Sequence, residues 1–266
     1  MIRDITLGQY IPGNSPIHRA DPRVKMVLSI IYMILIFIVN NYMGFLILYL
    51  FTAFVVTVSD IPIKYTLKGL KPIALIVIFT MAVNIFTVGG RTVFEYGFIK
   101  ITYEGIDLSI KLALRLSLLV ITTSLLTLTT TPILLTDAIE SLMSPFKFIG
   151  IPVHEIAMMM TISLRFIPTL MEETDKIMKA QSSRGADFDT GNIFQRAKSF
   201  VPILVPLFIS AFRRADEMAM AMEARCYRGS EGRTRMKQLK ITSIDYKIMA
   251  VMMVVALGLL YLQYMK

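Results

Sequence analysis

Two similar segments, AQSSRGAD at residues 180–187 and AMEARCYRG at residues 221–229, decide how this chain is organised. Each follows a long run with helical spacing and several methionines, and each contains an arginine between two small residues. The arginines Arg184 and Arg225 are 225 − 184 = 41 residues apart. Two further identities fall on the same offset, Asp175 with Asp216 and Ala180 with Ala221. The pattern predicts two related helices, each with an arginine at its C-terminal end.

The small neighbours leave each guanidinium group sterically free, and its planar fork suits a bidentate carboxylate partner. Such a helix end predicts a docking contact, in which the arginine inserts into an acidic site on another protein. A simpler interpretation is that Arg184 and Arg225 only neutralise the helix C-termini, where cations are favoured. For a single arginine the simpler interpretation is the stronger one. Two arginines in register within a membrane protein favour docking.

Composition indicates an integral membrane protein. The chain has 266 residues, 55% of them hydrophobic, and its mean hydropathy is +0.63, which is too apolar for an ordinary soluble domain. Most charges lie outside a few long apolar blocks, as in proteins with several membrane spans and polar loops. The net charge of +9 therefore indicates cytoplasmic loops and contact with anionic lipid. No basic tract with interleaved aromatic residues points to nucleic acid.

No catalytic, metal or cofactor site is predicted. The single cysteine, Cys226, excludes an intrachain disulfide and a multi-cysteine metal site, and the two histidines lie far apart in sequence. Neighbouring acids such as Glu172 and Glu173 point to different faces of a helix. Two i,i+4 pairs are expected on a solvated face, Asp175 with Lys179 and Arg213 with Glu217. No phosphate-binding loop or zinc-protease motif is present, and no signal peptide is expected before Arg23.

Four membrane spans are predicted in residues 24–131, after an N-terminal segment, residues 1–23, at the cytoplasmic surface. The apolar block at residues 26–58 exceeds the roughly 20 residues that one span needs. We therefore expect two short spans with a tight turn at Asn40 and Asn41. A third span is predicted at residues 72–88, an external loop at 91–107 and a fourth span at 110–130.

Basic residues assign the sides of the membrane. Lysines and arginines cluster before the first span and between the second and third spans, which predicts that both segments are cytoplasmic. Lys111 and Arg115 lie near the outer end of the fourth span, where we expect them to snorkel.

Residues 132–242 are predicted to form a cytoplasmic helical module, followed by a final span in residues 243–266 that leaves the C-terminus outside. The module is expected to begin with a short helix from Thr136 to before Pro145. A long helix is predicted at residues 154–182, interrupted by Pro168. A second long helix, which contains Pro202 and Pro206, is predicted at residues 193–227. The predicted fold is thus an all-α integral membrane protein with about five transmembrane helices plus two long helices and one short helix on the cytoplasmic side.

A family resemblance rests on three segments. The segment Asp21-Pro22-Arg23-Val24-Lys25 before the first span and the two arginine segments resemble the transmembrane T component of energy-coupling factor transporters, the EcfT family, over essentially the whole chain. The resemblance implies that the long helices are coupling helices whose ends dock two ATPase subunits. The implied docking residues are Ser183, Arg184 and Gly185 on the first helix and Ala224, Arg225 and Cys226 on the second. Ser183 and Cys226 stand where the family has alanine and glycine.

The resemblance also implies the function. The T component is the scaffold of a vitamin or metal-ion importer, and it joins two ATP-hydrolysing subunits to an exchangeable substrate-binding membrane subunit, the S component. We expect the apolar halves of the long helices to contact that subunit through Met158, Met159, Met160, Pro202 and Pro206. The methionines are equally consistent with plain core filling and with a surface that repacks against several partners.

Two other classes of function are less consistent with the residues. A stand-alone ion-coupled carrier usually places ionisable groups or broken helices at mid-membrane, whereas here the mid-span polar residues are few, such as Asn84. An intramembrane hydrolase would need a nucleophile and a base within the spans. Co-purification of two ATPases with a tagged chain distinguishes the scaffold from the carrier.

Overall fold

The chain folds into two units in the computed structural model, which describes residues 10–96, 99–186, 188, 192–229 and 238–264. One unit comprises Gly8–Ala138 with Lys237–Lys266, and we call it the bundle unit. The other comprises the described residues from Ile139 to Gly229, and we call it the two-helix unit. The predicted functional division at residues 131 and 242 stays a prediction.

The described residues are mainly helical, with one short hairpin. In chain order the elements are α1 Pro16–Arg19, α2 Pro22–Ile38, α3 Tyr42–Val58, α4 Ile63–Lys68, α5 Lys71–Thr87, β1 Thr92–Tyr96, β2 Ile99–Thr102, α6 Tyr103–Thr129, α7 Pro132–Met143, a 3-10 helix Ser144–Ile149, α8 Val153–Ser183, α9 Ile193–Ala224 and α10 Ser243–Tyr264.

The apolar block at residues 26–58 forms two helices, as predicted. Helix α2 ends at Ile38 and α3 begins at Tyr42, so the break includes both Asn40 and Asn41. Within the described residues, α6 and α10 are long and apolar enough to cross a membrane, and α3 and α5 are shorter apolar helices. Helices α2, α3 and α5 have 17 residues each, the lower limit for a span. The total of about five spans therefore stays a prediction.

Helix α6 is the centre of the bundle unit and packs against α2, α3 and α5. Leu118 on α6 is fully buried with Ile36 of α2 and Leu48 of α3, in a core that also includes Met252 of α10. Gly105 allows α6 to approach α5 closely, because a Cβ atom there would lie 3.1 Å from the carbonyl oxygen of Asn84. Burial of this apolar surface is the main source of packing stability within the unit.

The two cations of α6 are bonded to other groups of the protein, and the snorkelling of their side chains stays a prediction. Lys111 Nζ lies 2.6 Å from Asp107 Oδ2, one helical turn away. Arg115 Nη2 donates to the Val39 carbonyl at 3.1 Å and to Asn40 Oδ1 at 3.1 Å. Helix α2 ends with carbonyls that have no partner within the helix, and a cation is favoured at that end. Arg115 therefore caps α2.

A buried polar network joins the beginnings of α2 and α10. Asp245 is fully buried, and its Oδ1 accepts a hydrogen bond from the backbone N–H of Asp21 at 2.7 Å. Its Oδ2 accepts from the backbone N–H and the hydroxyl of Thr242, at 2.6 and 2.8 Å. This return contact from the third helical position is a capping box. One carboxylate thus holds two helix N-termini together.

The segment Asp21-Pro22-Arg23-Val24-Lys25 supplies the rest of this network. Asp21 caps α2 through the N–H of Arg23 at 2.8 Å, and the Arg23 guanidinium returns to Asp21 Oδ2 at 2.8 Å and to the Leu239 carbonyl at 3.1 Å. Lys25 Nζ donates to the Thr129 carbonyl at the end of α6, at 3.1 Å. Burial alone would raise the pKa of Asp21, but the hydrogen bonds from Arg23 outweigh it and lower that pKa.

The connection predicted at residues 91–107 contains an antiparallel hairpin of β1 and β2 and the first turn of α6, and its location outside the membrane stays a prediction. Two predictions about local structure are wrong. Helix α7 begins at Pro132 and not at Thr136, because the Thr131 hydroxyl accepts a hydrogen bond from the Leu134 N–H at 3.4 Å. Helix α8 continues through Pro168, since a helix can lose one backbone hydrogen bond when its neighbours pack well.

Candidate functional site at two helix ends

Helices α8 and α9 pack together in the two-helix unit, and one carboxylate holds them. Glu173 Oε2 accepts a hydrogen bond from Arg214 Nη2 at 2.9 Å, and Glu173 Oε1 accepts one from the Ser210 hydroxyl. The separation of this pair is 214 − 173 = 41 residues, the same as that of Arg184 and Arg225. Equivalent positions of the two helical copies therefore meet in one ion pair.

The pKa of Glu173 is lowered from its ordinary value. The largest cause is the hydrogen bond from Ser210, partial burial opposes it, and the positive charge of Arg214 adds to it. The carboxylate is therefore ionised over the whole neutral range. Sequence reasoning missed this contact and placed ion pairs within single helices, at Asp175 with Lys179 and at Arg213 with Glu217. The structure shows neither of those two pairs as an ion pair within 4 Å, and the repeat offset was the signal for the contact that does form.

The end of α8 is a Schellman motif, with Arg184 at the C-cap. The Gly185 N–H donates to the Ser182 carbonyl and the Ala186 N–H donates to the Gln181 carbonyl, both at 3.0 Å. Gly185 has φ +86°, the left-handed conformation that this motif requires after the cap. Asp187, the last residue of the quoted segment, lies outside the described residues.

The end of α9 has the same hydrogen bonds around Arg225. The Cys226 N–H donates to the Glu223 carbonyl at 2.8 Å, and the Tyr227 N–H donates to the Met222 carbonyl at 3.0 Å. Cys226 replaces glycine at the left-handed position and has φ +56°. A side chain in this conformation costs roughly 1–2 kcal/mol relative to glycine. The second end thus keeps the motif of the first at a cost in backbone strain.

The two arginines occupy equivalent and accessible positions. Arg184 follows Glu173 by 184 − 173 = 11 residues, and Arg225 follows Arg214 by 225 − 214 = 11 residues. At a rise of about 1.5 Å per residue, each arginine lies roughly 16 Å along its helix from the ion pair. Both are exposed, and neither side chain bonds to any residue that the structure describes. Ser183, Ala224 and Cys226, beside them, are exposed as well.

The apolar halves of both helices present hydrophobic side chains at the surface of this unit. Met159 is 56% exposed and Met160 is 36% exposed, while Met158 is half-buried. Pro202 and Pro206 are exposed on α9. A stripe at helical spacing accompanies them, formed by Val201, Leu204, Val205, Phe208, Ile209 and Phe212. These side chains suit either lipid or a partner protein, and exposure at Met159 and Met160 excludes plain core filling there.

His154 has a local partner in the described part of the chain. Its Nδ1 lies 2.9 Å from Glu140 Oε1, which ties the start of α8 to α7. His18 is bonded likewise, with Nε2 donating to the Ile11 carbonyl at 3.0 Å. Among the described residues, no three His, Cys, Asp or Glu side chains come together as a metal site.

Comparisons with protein families and with individual relatives give one consistent result. Residues 13–236 match the family CbiQ, described as "Cobalt transport protein". The chain is 63% identical over 264 residues to an energy-coupling factor transporter transmembrane protein EcfT of Ruminiclostridium cellulolyticum, covering 99% of each chain. It is 48% identical to the EcfT protein of Bacillus subtilis, over 99% of this chain and 100% of the relative.

The relative in Thermosediminibacter oceani, 56% identical over 92% of each chain, carries the same description. These matches extend through α8 and α9 and both arginine ends, so they include the residues that form the candidate site. The chain therefore belongs to the family of energy-coupling factor transporter transmembrane proteins, the membrane subunits of these transporters.

Proposed function

We propose that this chain is the scaffold and coupling subunit of an energy-coupling factor importer for a vitamin or a metal ion. Arg184 and Arg225 each dock one ATPase subunit, together with Ser183, Gly185, Ala224 and Cys226 around them. A membrane S component that binds the substrate contacts the apolar halves of α8 and α9. The chain itself catalyses no reaction and needs no cofactor, and ATP hydrolysis takes place in the partners.

The matched helix ends carry this proposal. Both ends have the same Schellman hydrogen bonds, both place an arginine at the cap, and both arginines are exposed without a partner in the described residues. An arginine at a helix end can bond the last carbonyls of its own helix, and neither Arg184 nor Arg225 does so in the described residues. An exposed planar guanidinium is instead available for a carboxylate on another subunit. Two equivalent ends fit two equivalent ATPases.

The exposed apolar surface of α8 and α9 is the observation that supports contact with a membrane partner. The stripe from Val201 to Phe212 and the residues Met159 and Met160 expose apolar side chains. Hydrophobic burial is non-directional, and methionine side chains adapt their shape, so one surface can accept several S components. Movement of the ATPases during hydrolysis would pass through both helix ends and the Glu173–Arg214 contact to this surface.

The proposed location is the cell membrane, with the N-terminus in the cytoplasm and the C-terminus outside. The basic residues near α2, α4 and α10 support it under the positive-inside rule. Single cysteines at Thr92 and Lys240, in a Cys226→Ser background, should react with an impermeant thiol reagent from opposite sides. Labelling from the same side would contradict this topology.

The test of docking is the double variant Arg184→Ala with Arg225→Ala. We expect it to lose both ATPases in a pull-down from membranes, because removing one partner of a desolvated ion pair costs about 3–5 kcal/mol. The matched control is Lys179→Ala with Arg213→Ala, which removes one exposed cation from each of the same helices. The control should retain both ATPases.

Stoichiometric ATPase binding by the double arginine variant would contradict the docking proposal. A chain that brings down no ATPase even without substitution would favour the stand-alone ion-coupled carrier. Such a carrier usually needs an ionisable group at mid-membrane. The buried Asp245 does not fit that role, because it lies in the first turn of α10 and its oxygens are bonded to backbone groups and Thr242.

A further inference from the structure

The bundle unit contains an apolar cavity of about 230 Å³. Its walls come from α2, α3, α6 and α10 and from the segment just before α2. Twenty residues line it, and they include two lysines, Lys25 and Lys247, but no aspartate or glutamate. The cavity is thus hydrophobic, and the charged side chains among its lining residues are these two lysines.

The cavity lies at one end of the helices. It is lined by Val24 at the start of α2, Val58 at the end of α3 and Thr129 at the end of α6. The deepest position on α2 is Tyr32, ten residues beyond Pro22, or roughly 15 Å at about 1.5 Å per residue. That depth is about half of a hydrocarbon core of roughly 30 Å, the thickness of one leaflet.

The two lysines differ in their surroundings. Lys25 is buried, and its Nζ donates to the carbonyls of Thr129 and His18 at 3.1 and 3.5 Å. Lys247 is exposed and forms no hydrogen bond or ion pair with the residues that the structure describes. The cavity therefore has one free cation at its rim, on the side that the positive-inside rule predicts to be cytoplasmic.

We propose that this cavity holds an acyl chain of one anionic phospholipid, with the headgroup phosphate at Lys247. Enclosed apolar cavities of about 150 Å³ take up apolar guests, and this space is larger and partly open to its surroundings, so a chain can enter it from outside. Acyl chains are the apolar molecules present at this depth of a membrane. A basic residue beside a gap between transmembrane helices recognises an anionic headgroup. The residues that line the cavity include no acidic side chain that would oppose this attraction, and the oxygens of the nearby Asp245 are bonded to backbone N–H groups.

The experiment uses the full chain purified in a neutral detergent, freed of lipid and titrated with phosphatidylglycerol or phosphatidylcholine of identical acyl chains. Native mass spectrometry counts the bound lipids. We expect one tight site that favours phosphatidylglycerol by about fivefold, the preference that one lysine near an anionic headgroup provides. Lys247→Gln should remove this preference and keep the binding of both lipids. Val251→Phe should fill the cavity and remove the binding of both.

Two control variants make the same kinds of substitution at residues that do not line the cavity. Lys68→Gln removes another exposed lysine of the bundle unit, and Val254→Phe enlarges an exposed residue of the same helix α10. Both should bind lipid like the parent protein. If Val251→Phe misfolds, as judged by gel filtration and circular dichroism, Ser29→Phe fills the same space from α2.

The proposal is wrong if the parent protein binds both lipids equally or if a folded cavity-filling variant retains its phospholipid. It is also wrong if the purified parent protein binds no phospholipid.

Discussion

Glu173 and Arg214 form an ion pair between α8 and α9, with Oε2 and Nη2 2.9 Å apart, at positions that the internal repeat makes equivalent. Each residue lies 11 positions before a C-cap arginine, Arg184 in one helix and Arg225 in the other. The pair therefore joins the two copies at matched distances from their ends. Under the proposed function, movement at either helix end would reach the other helix through this contact.

Substitution of either partner should weaken the contact between α8 and α9. Both side chains are partly exposed, at 24% for Glu173 and 34% for Arg214, so we expect a coupling energy of only about 0.5–1 kcal/mol from a double-mutant cycle of Glu173→Ala and Arg214→Ala. ATPase binding should persist because both cap arginines are intact, while transport per ATP hydrolysed should fall severalfold. Thermal unfolding in detergent and transport in vesicles measure the two effects.

Glu172→Ala is the control for this cycle, because Glu172 is exposed on the same helix. The reversed pair, Glu173→Arg with Arg214→Glu, should recover part of the transport lost in the single variants. Strict additivity of the single substitutions would show that the contact does not couple the helices.

The same carboxylate predicts a specific response to acid. The pKa of Glu173 is lowered in the folded protein, chiefly by the Ser210 hydrogen bond. Its stabilising contribution should therefore be complete above the ordinary glutamate pKa of about 4.3 and should disappear as the pH falls through the lowered folded value.

The difference in melting temperature between the parent protein and Glu173→Gln measures this response. It should be constant from neutral pH down to about pH 4.5 and should shrink below that value. Asp21, whose pKa is also lowered, is present in both proteins and so cancels. A difference that grew on acidification would contradict the ion-pair assignment.

Cys226→Gly should stabilise the end of α9. Cys226 has φ +56°, and glycine adopts this conformation without the contact between Cβ and the backbone, so we expect a gain of about 1 kcal/mol. Gly185→Ala should destabilise α8 by about the same amount, since a Cβ at that position meets no atom within 4 Å and only the backbone is strained. Thermal unfolding measures both.

Ala224→Gly is the matched control, because it places glycine at the last helical residue of α9, where glycine has no advantage and should cost up to about 1 kcal/mol. A destabilising Cys226→Gly would mean that the thiol makes a contact that compensates for the strain.

Met159→Glu should release the S component while both ATPases stay bound. The substitution places a charge on an exposed apolar side chain, which is costly to bury at a protein or lipid contact. Phe208→Glu makes the same test on α9. Purification followed by quantification of each subunit measures the result, and ATP hydrolysis should continue. Lys176→Glu, on the exposed polar half of α8, should keep every partner.

Loss of the ATPases with retention of the membrane partner would show that the ends of these helices have been assigned in reverse.

Local patterns in the sequence were sufficient to predict where most helices begin or end. Asn40 and Asn41 marked the break between α2 and α3, and Arg184 and Arg225 marked the ends of α8 and α9. These features depend on neighbouring residues, on hydrophobic length and on helix capping, which all act within a few turns. The same reasoning wrongly predicted that Pro168 interrupts α8, because packing of the flanking turns decides whether a helix tolerates a proline.

By itself, the sequence determined that the chain is a membrane protein with two long related helices that end in arginines. Only the tertiary structure decided that Glu173 meets Arg214, that Asp245 joins α10 to α2, and that Arg115 caps α2. Each of these contacts links residues at least 41 positions apart, so no periodicity within one helix encodes it. A buried or half-buried polar group must find a partner, but the packing of the helices selects which one it finds.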